Sequence, residues 1–135
     1  GTSEWNLQKR WQGQTDISLA EVGIEQAVAR ARKFKAQGIQ FTAAYTSDLK
    51  RASRTAEILS THCGGGDPVA DERLRECSLG EFEGKLKSEI YGEAYSALWD
   101  RLGSLAHEDR IRTPYFQGLE TPFDVGARAA ACLVQ

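Results

Sequence analysis

The sequence predicts an α/β fold: a three-layer sandwich in which a mainly parallel sheet carries helices on both faces. Short β-prone segments alternate along the chain with segments whose apolar residues recur at helical spacing, and this order is typical of parallel sheets. The 135 residues are 41% hydrophobic and 27% charged, as in ordinary globular domains. We therefore expect a single domain over residues 1–135.

The elements follow from capping signals and periodicity. Residues 1–17 have no helical period and predict a loop. Ser18 and Glu21 form a capping-box pattern that predicts the start of the first helix, and Gly38 is its expected stop. The later elements are, in order, a buried strand over 39–45, a helix capped by Ser47 that ends before Gly64, an extended piece at 68–70, a loop over 74–84, a helix over about 87–101, an irregular stretch over 103–119, and a helix capped by Thr121 and Asp124 that shows no stop signal before Gln135.

Charge and cysteine usage exclude several classes of protein. The net charge of −2 argues against a nucleic-acid partner, and no apolar run reaches the length of a membrane span. The three cysteines, Cys63, Cys77 and Cys132, have no metal-binding spacing, and an odd count suits a reducing compartment. We expect a cytoplasmic protein with no metal site.

The turn at residues 46–48 predicts an anion site. It joins a predicted strand to a helix N-terminus, where free N–H groups and the helix dipole attract negative charge. Arg51 follows within the first turn of that helix, and a guanidinium can hold two phosphate oxygens at once. A solvated surface arginine is the alternative interpretation.

Four segments in a fixed order carry a specific resemblance. They are Gly1-Thr2-Ser3-Glu4-Trp5-Asn6 with residues 10–16, Ser47-Asp48-Leu49-Lys50-Arg51-Ala52 with residues 55–58, Leu74-Arg75-Glu76 with residues 79–84, and Gly118-Leu119-Glu120-Thr121 with Asp124 and Arg128. Together they closely resemble the histidine phosphatase superfamily, also called phosphoglycerate mutase-like. The resemblance spans nearly the whole chain and implies a phosphoglycerate mutase-like fold.

The resemblance also implies roles for individual residues. Arg51 corresponds to the arginine that clamps the phosphoryl group, and Glu76 to the general acid. Gly1 corresponds to the glycine after the phosphate-accepting histidine. The positions that line the phosphate pocket are Gly1, Ser3, Asn6, Gln12 and Gly13. The two family histidines would lie just before Gly1 and beyond Gln135, so the resemblance implies a domain cut at both ends and a printed chain that is inactive.

The implied reaction is phosphoryl transfer through a phosphohistidine, with a small phosphorylated metabolite as partner and no cofactor. A phosphatase is favoured over a mutase. Glu76 is followed by Cys77, Ser78 and Leu79, whereas mutases of the family usually have a basic residue and then a tyrosine there. The stretch over 84–118 is also shorter than the mutase insert. Arg110 and Arg112 could meet a substrate carboxylate or be solvated loop charges, and a homodimer is left open.

Three other classes of protein share single features with this sequence. The run from Cys63 to Gly66 superficially resembles a cysteine phosphatase loop, but Val69 stands where that loop needs an arginine. Residues 64–66 lack the following Lys-Ser/Thr of a nucleotide P-loop. A non-catalytic phosphate-binding protein is the better rival, because neither His62 nor His107 lies where a replacement nucleophile would have to be.

Overall fold

A computed structural model describes residues 1–133 of the chain. Its α-helices are α1 Glu4–Leu7, α2 Glu21–Ala36, α3 Lys50–Cys63, α4 Lys87–Ile90, α5 Ser96–Ser104, α6 His107–Arg112 and α7 Pro122–Leu133, and its strands are β1 Tyr45–Thr46 and β2 Val69–Ala70. Short 3₁₀ turns occupy Glu72–Leu74, Gly80–Phe82 and Glu93–Tyr95.

The two strands form a parallel pair in which Tyr45 faces Val69 and Thr46 faces Ala70. The predicted parallel direction is therefore confirmed, but the strand predicted over 39–45 is too long and is not buried: it reduces to β1, and Tyr45 is 66% exposed. Before β1, Phe41 forms one isolated parallel bridge to Gly64. A strand extends only as far as its backbone finds hydrogen-bonding partners on a neighbouring strand, and β-prone residues alone do not determine where those partners are.

The main helix pair is α2 against α3. Small side chains on α2 allow close approach, and Ala27 and Ala31 are buried with Ile58 of α3 at the centre of this contact. The helical spacing of apolar residues predicts Ala27 and Ala31 on the inner face of the first helix, and their burial confirms this; Ile58 was not among the residues predicted to face inward on the second.

An aromatic cluster forms a second core beneath the loops that follow α3. Phe82 is only 1% exposed, and its ring lies 4.0 Å from that of Phe116 and 4.8 Å from that of Tyr95, measured between centroids. Trp11 meets Phe82 edge-on at 5.9 Å. This cluster ties the N-terminal loop to the segment after Gly80, which places residues distant in sequence around one cavity.

Two predicted helix starts are wrong. The helix α2 begins with Ala20 as N-cap and no side-chain cap, because Ser18 and Leu19 are engaged in backbone pairing with Ser3 and Glu4. The N-cap of α3 is Leu49 rather than Ser47. The capping box of α7 is confirmed, since the Thr121 hydroxyl accepts from the Asp124 N–H at 3.2 Å and the Asp124 carboxylate accepts from Thr121. The predicted continuation of that helix through Gln135 lies outside the described residues.

Three predicted stretches also differ in detail. The helix predicted over about 87–101 is divided into α4, a 3₁₀ turn and α5, and the Trp99 indole donates to the Ile90 carbonyl across the break at 2.6 Å. Residues 103–119, predicted as irregular, contain α6. The loop predicted at 1–17 contains the single turn α1, whose cap is part of the candidate site.

Candidate phosphate-binding site

One cavity gathers most of the residues singled out from the sequence. It has a volume of about 240 Å³ and is lined by Asn6, Arg10, Trp11, Gln12, Gly13, Arg51, Glu76, Leu79 and Lys87. The lining comes from the N-terminal loop, the first turn of α3 and the segment between β2 and α4. Five of the seven predicted site residues are therefore in one place.

Arg51 lies against the N-terminal loop. Its Nη1 donates to the Thr15 carbonyl at 3.0 Å and its Nη2 to the Gly13 carbonyl at 2.7 Å. A guanidinium has five N–H donors in a planar fork, so two of them fix its position and the others remain for a ligand. Its half-buried position at the cavity makes the solvated surface alternative the weaker interpretation.

Ser3 orients two amide side chains that line the cavity. It is fully buried, its N–H donates to Asn6 Oδ1 at 3.0 Å, and its hydroxyl donates to Gln12 Oε1 at 2.5 Å. With both amide oxygens held by Ser3, the Asn6 and Gln12 amide nitrogens have no hydrogen-bond acceptor among the described residues and remain available as donors. Ser3 thus acts from beneath the cavity instead of lining it.

Glu76 lines the cavity with an exposed side chain. Its Oε1 accepts from the N–H of Cys77 at 3.0 Å. Its backbone carbonyl accepts from Gln14 Nε2 at 3.2 Å and from Arg128 Nη2 at 3.1 Å. Two hydrogen bonds hold the Glu76 carbonyl, so the backbone that carries the side chain is fixed beside the cavity.

Arg128 and Glu120 support the segment that carries Glu76. The two side chains pair at 2.5 Å and 2.8 Å, Arg128 also donates to the Arg73 carbonyl at 2.7 Å, and Glu120 accepts from the Ser78 N–H at 3.2 Å. The Arg128 guanidinium holds the pKa of the Glu120 carboxyl below its ordinary value. The sequence motif contained both residues but did not indicate this pairing.

Glu83 supports the loop on the other side of Arg51. Its carboxylate accepts from the N–H groups of Gln14, Thr15 and Leu79 at 2.9, 2.9 and 3.0 Å, and from the Thr15 hydroxyl. Burial raises the pKa of the Glu83 carboxyl, but the hydrogen bonds from Thr15, Gln14 and Leu79 outweigh this and hold the pKa below its ordinary value. Glu83 lies within the third family-like segment, at residues 79–84, but no role was predicted for it.

Two further cations line the cavity and were not predicted. Arg10 Nη1 donates to the Gly84 carbonyl at 2.6 Å, which fixes that side chain. The Lys87 ammonium makes no hydrogen bond or ion pair with any residue in the described part of the chain. The 77 positions that separate them in sequence hid the relation, although Arg10 opens residues 10–16 of the first family-like segment.

Some expected residues lie elsewhere. Gly1 packs against α2, where any Cβ on it would come within 2.2 Å of the Gly23 carbonyl oxygen, and it lines a different cavity with Gln26 and Arg30. The turn at 46–48 does not line the site, and the first free N–H of α3, on Lys50, donates to Asp16 Oδ1 at 2.7 Å. The anion site expected at this helix N-terminus is thus filled by a carboxylate of the chain itself.

The arginines considered as substrate contacts are engaged outside the site. Arg110 donates to the Leu105 carbonyl at 3.1 Å, and Arg112 stacks on the ring of Phe123 at 3.9 Å. Neither lines the cavity, and neither does His62, whose Nδ1 lies 2.8 Å from the Ile58 carbonyl oxygen.

A parallel strand pair packed with helices, together with a small cavity lined by cations and amide donors, suits an α/β protein that binds an anion such as phosphate. A sequence profile described as the histidine phosphatase superfamily (branch 1) matches residues 1–135. The chain belongs to this superfamily. Its fold class is the α/β phosphoglycerate mutase-like type, as the resemblance implied.

Individual relatives include both mutases and phosphatases. A 2,3-bisphosphoglycerate-dependent phosphoglycerate mutase of Methylobacterium sp. (strain 4-46) is 40% identical over 106 residues, covering 75% of this chain and 51% of that protein. A mycobacterial glucosyl-3-phosphoglycerate phosphatase structure is 34% identical with a TM-score of 0.79, covering 99% of this chain and 58% of that one. A Bacillus stearothermophilus structure named YhfR is also 34% identical, with a TM-score of 0.77 and coverage of 99% and 62%. The chain spans about half the length of the curated relatives it matches.

None of the helices in the described residues is long and apolar enough to cross a membrane.

Proposed function

We propose that the protein is a phosphatase that hydrolyses a small phosphate monoester through a phosphohistidine intermediate. The observation that carries the proposal is the convergence of Arg51, the Asn6 and Gln12 amides, and Glu76 on one cavity of about 240 Å³. The N–H donors of this cavity suit the phosphoryl oxygens, and its carboxyl suits the leaving group.

The chemistry assigns each group a step. A histidine nitrogen attacks phosphorus, so that a P–N bond forms as the ester P–O bond breaks. Arg51 and the two amides stabilise the charge on the equatorial oxygens. A protonated Glu76 gives its proton to the leaving oxygen, and the alcohol departs neutral. Water then attacks phosphorus, the P–N bond breaks, the Glu76 carboxylate takes the water proton, and inorganic phosphate leaves.

The nucleophile of this proposal is the histidine that the family resemblance places immediately before Gly1. Reading the complete gene across both ends of the printed sequence tests it. An Arg-His ahead of Gly1 and a His-Gly shortly after Gln135 would support the enzyme. Other residues at both places would contradict it and favour a non-catalytic phosphate-binding protein.

A mutase is the second candidate, because curated relatives of this chain are named phosphoglycerate mutases. Against it, Arg110 and Arg112, which could have met a second anionic group, are engaged outside the cavity. The order of preference is therefore phosphatase first. Incubation with a phosphoglycerate separates the two, since a phosphatase releases inorganic phosphate while a mutase moves the phosphoryl group between hydroxyls.

The substrate class proposed is a phosphorylated carboxylic acid. The names of the mutase and phosphatase relatives both contain phosphoglycerate, a phosphate ester with a carboxylate, and Lys87 offers an ammonium without a partner among the described residues beside the Arg51 donors. We expect Lys87→Gln to raise the KM for such an acid about tenfold, the equivalent of one charge-assisted hydrogen bond, and to leave the KM for an aryl phosphate unchanged. Lys35→Gln, at the exposed end of α2, is the control. An equal effect on both substrates would contradict the assignment.

The clamp role of Arg51 has a direct test in the protein encoded by the complete gene. Arg51→Ala should lower the rate of aryl phosphate hydrolysis by a factor on the order of 10²–10³, as expected for one lost donor to a transition-state oxyanion. Arg54→Ala is the matched control, because Arg54 lies one turn along the same helix in an exposed pair with Glu57. Near-normal turnover by Arg51→Ala would refute the role.

A further inference from the structure

Glu83 and Arg51 lie on opposite sides of the same stretch of backbone. The peptide between Gly13 and Gln14 donates its N–H to Glu83 Oε1 at 2.9 Å and accepts from Arg51 Nη2 through its carbonyl at 2.7 Å. In a trans peptide these two groups point in opposite directions. Fixing one end of the peptide therefore fixes the direction in which the other end holds the guanidinium.

Thr15 adds a second link between the two side chains, here through two adjacent peptide units. Its N–H and its hydroxyl both donate to Glu83 Oε2, while its carbonyl accepts from Arg51 Nη1 at 3.0 Å. The carboxylate thus fixes both of the carbonyls that hold Arg51. Hydrogen bonds in series polarise one another, so the negative charge of Glu83 strengthens the Gly13 carbonyl, which shares a peptide with the Gln14 N–H, as an acceptor.

The fit at Gly13 shows that this contact is close. Gly13 has a φ of +54°, and a Cβ built on it would lie 2.1 Å from Glu83 Oε1. The loop can approach the carboxylate only because this residue has no side chain. The same carboxylate accepts from Leu79 N–H at 3.0 Å, which joins the loop to the segment after Glu76.

We infer that Glu83 is a positioning residue for the Arg51 guanidinium, acting through the Gly13–Gln14 peptide and Thr15. The inference rests on the proposed function in that Arg51 is the phosphate clamp. Glu83 itself does not line the cavity and would not touch the substrate. A charged carboxylate behind the loop holds the cation in place without competing with phosphate for its free donors.

The test compares Glu83→Gln with Glu81→Gln, an exposed carboxylate two residues earlier, in the full protein. Nuclear magnetic resonance of the arginine side chains without ligand reports the Arg51 Nη protons, assigned by their loss in Arg51→Lys. Titration with inorganic phosphate reports affinity. We expect Glu83→Gln to broaden the Arg51 signals and to weaken phosphate binding about tenfold, while Glu81→Gln changes neither.

Coupling separates positioning from a general structural role. In the Arg51→Lys background, Glu83→Gln should change phosphate affinity by less than about twofold, because the group it positions is gone. An equal loss in both backgrounds, or unchanged Arg51 signals in Glu83→Gln, would overturn the inference. Equal phosphate affinity of the unaltered protein and Arg51→Lys would refute the clamp role of Arg51, and with it the proposed function. The change in the Arg51 signals on Glu83→Gln would still test whether Glu83 positions the guanidinium.

Thr15→Val covers the case in which Glu83→Gln does not fold. It removes only the hydroxyl that donates to Glu83 and keeps a β-branched side chain. We expect the same changes in Arg51 signals and in phosphate affinity, but smaller. Unchanged signals in this folded variant would also count against the inference.

Discussion

Replacing Ser3 by alanine should destabilise the fold and the site together, because one buried hydroxyl has two partners. Ser3 is the N-cap of α1, and its Oγ accepts from the Asn6 N–H at 3.2 Å. The same oxygen lies 2.5 Å from Gln12 Oε1 and 3.0 Å from Asn6 Oδ1. A hydroxyl has one proton, and since Asn6 Oδ1 already receives the Ser3 N–H at 3.0 Å, the proton goes to Gln12.

The expected cost follows from these contacts. Loss of a serine N-cap costs about 1 kcal/mol, and loss of a buried hydrogen bond that leaves its acceptor unsatisfied costs about 1–2 kcal/mol. Ser3→Ala should therefore lower the free energy of unfolding by roughly 2–3 kcal/mol. The Gln12 amide is released at the same time, so phosphate affinity should fall as well.

Urea denaturation of the protein, with the slope shared between variants, measures the loss. The matched control is Ser18→Ala, the same chemical change at an exposed serine whose side chain caps nothing. It should change stability by less than about 0.5 kcal/mol. Equal losses for the two variants would refute the role given to Ser3, and a larger loss at Ser18 would restore the capping box that the sequence predicted there.

Three further predictions concern other parts of the site. Glu76→Gln should slow esters with poor leaving groups far more than aryl phosphates, because only the former need a proton; an equal loss in steady-state rates would exclude a general acid. Thr121→Ala should cost about 1 kcal/mol of stability by removing the cap of α7, whereas Thr61→Ala, on the exposed face of α3, should cost less in the same urea experiment. The pKa of the Glu120 carboxyl is lower in the folded than in the unfolded protein, so its stabilising effect is present above about pH 5 and is lost as the pH falls through the folded pKa. Glu120→Gln should therefore flatten the fall in the free energy of unfolding between about pH 5 and pH 3. Parallel curves of stability against pH for the two proteins would contradict this.

The comparison of the two capping boxes shows what a sequence pattern can and cannot predict. Thr121 and Asp124 form the box that their spacing predicts. Ser18 and Glu21 have the same spacing, but Glu4 donates its N–H to the Ser18 carbonyl, and the Ala20 N–H donates to Thr2. Pairing with a distant segment moves the helix start by two positions, from an N-cap at Ser18 to one at Ala20, and no local pattern contains that information.

Local patterns similarly missed α1. Its four residues are too few for an apolar period, and its box ends in Asn6 where the usual pattern has Glu or Gln. The structure shows that the family-like motif at the N-terminus is itself a cap: Ser3 and Asn6 bind each other. The resemblance had implied phosphate-pocket positions for both residues, and the structure adds the reason for their spacing, while their roles toward phosphate stay predictions.

Most of the site residues that were predicted line the cavity, whereas two whose roles were missed contact the backbone of other segments. Arg51, Glu76, Asn6 and Gln12 were identified because a motif preserves residue types that a reaction needs, and the structure brings them to one cavity. Glu83 and Arg128 act on backbone groups of other segments, the first on the loop at 13–15 and the second at Arg73 and Glu76.

A hydrogen bond to a backbone group does not require a particular side chain on the donor or acceptor residue, so the bonds at Gln14, Leu79, Arg73 and Glu76 leave no paired signal in a single sequence. They do fix where Arg51 and Glu76 stand relative to each other, and catalysis by positioned donors and acids depends on that separation to within a fraction of an ångström. Among residues that do not line the cavity, we therefore expect substitutions of Glu83 and Arg128 to change its chemistry most.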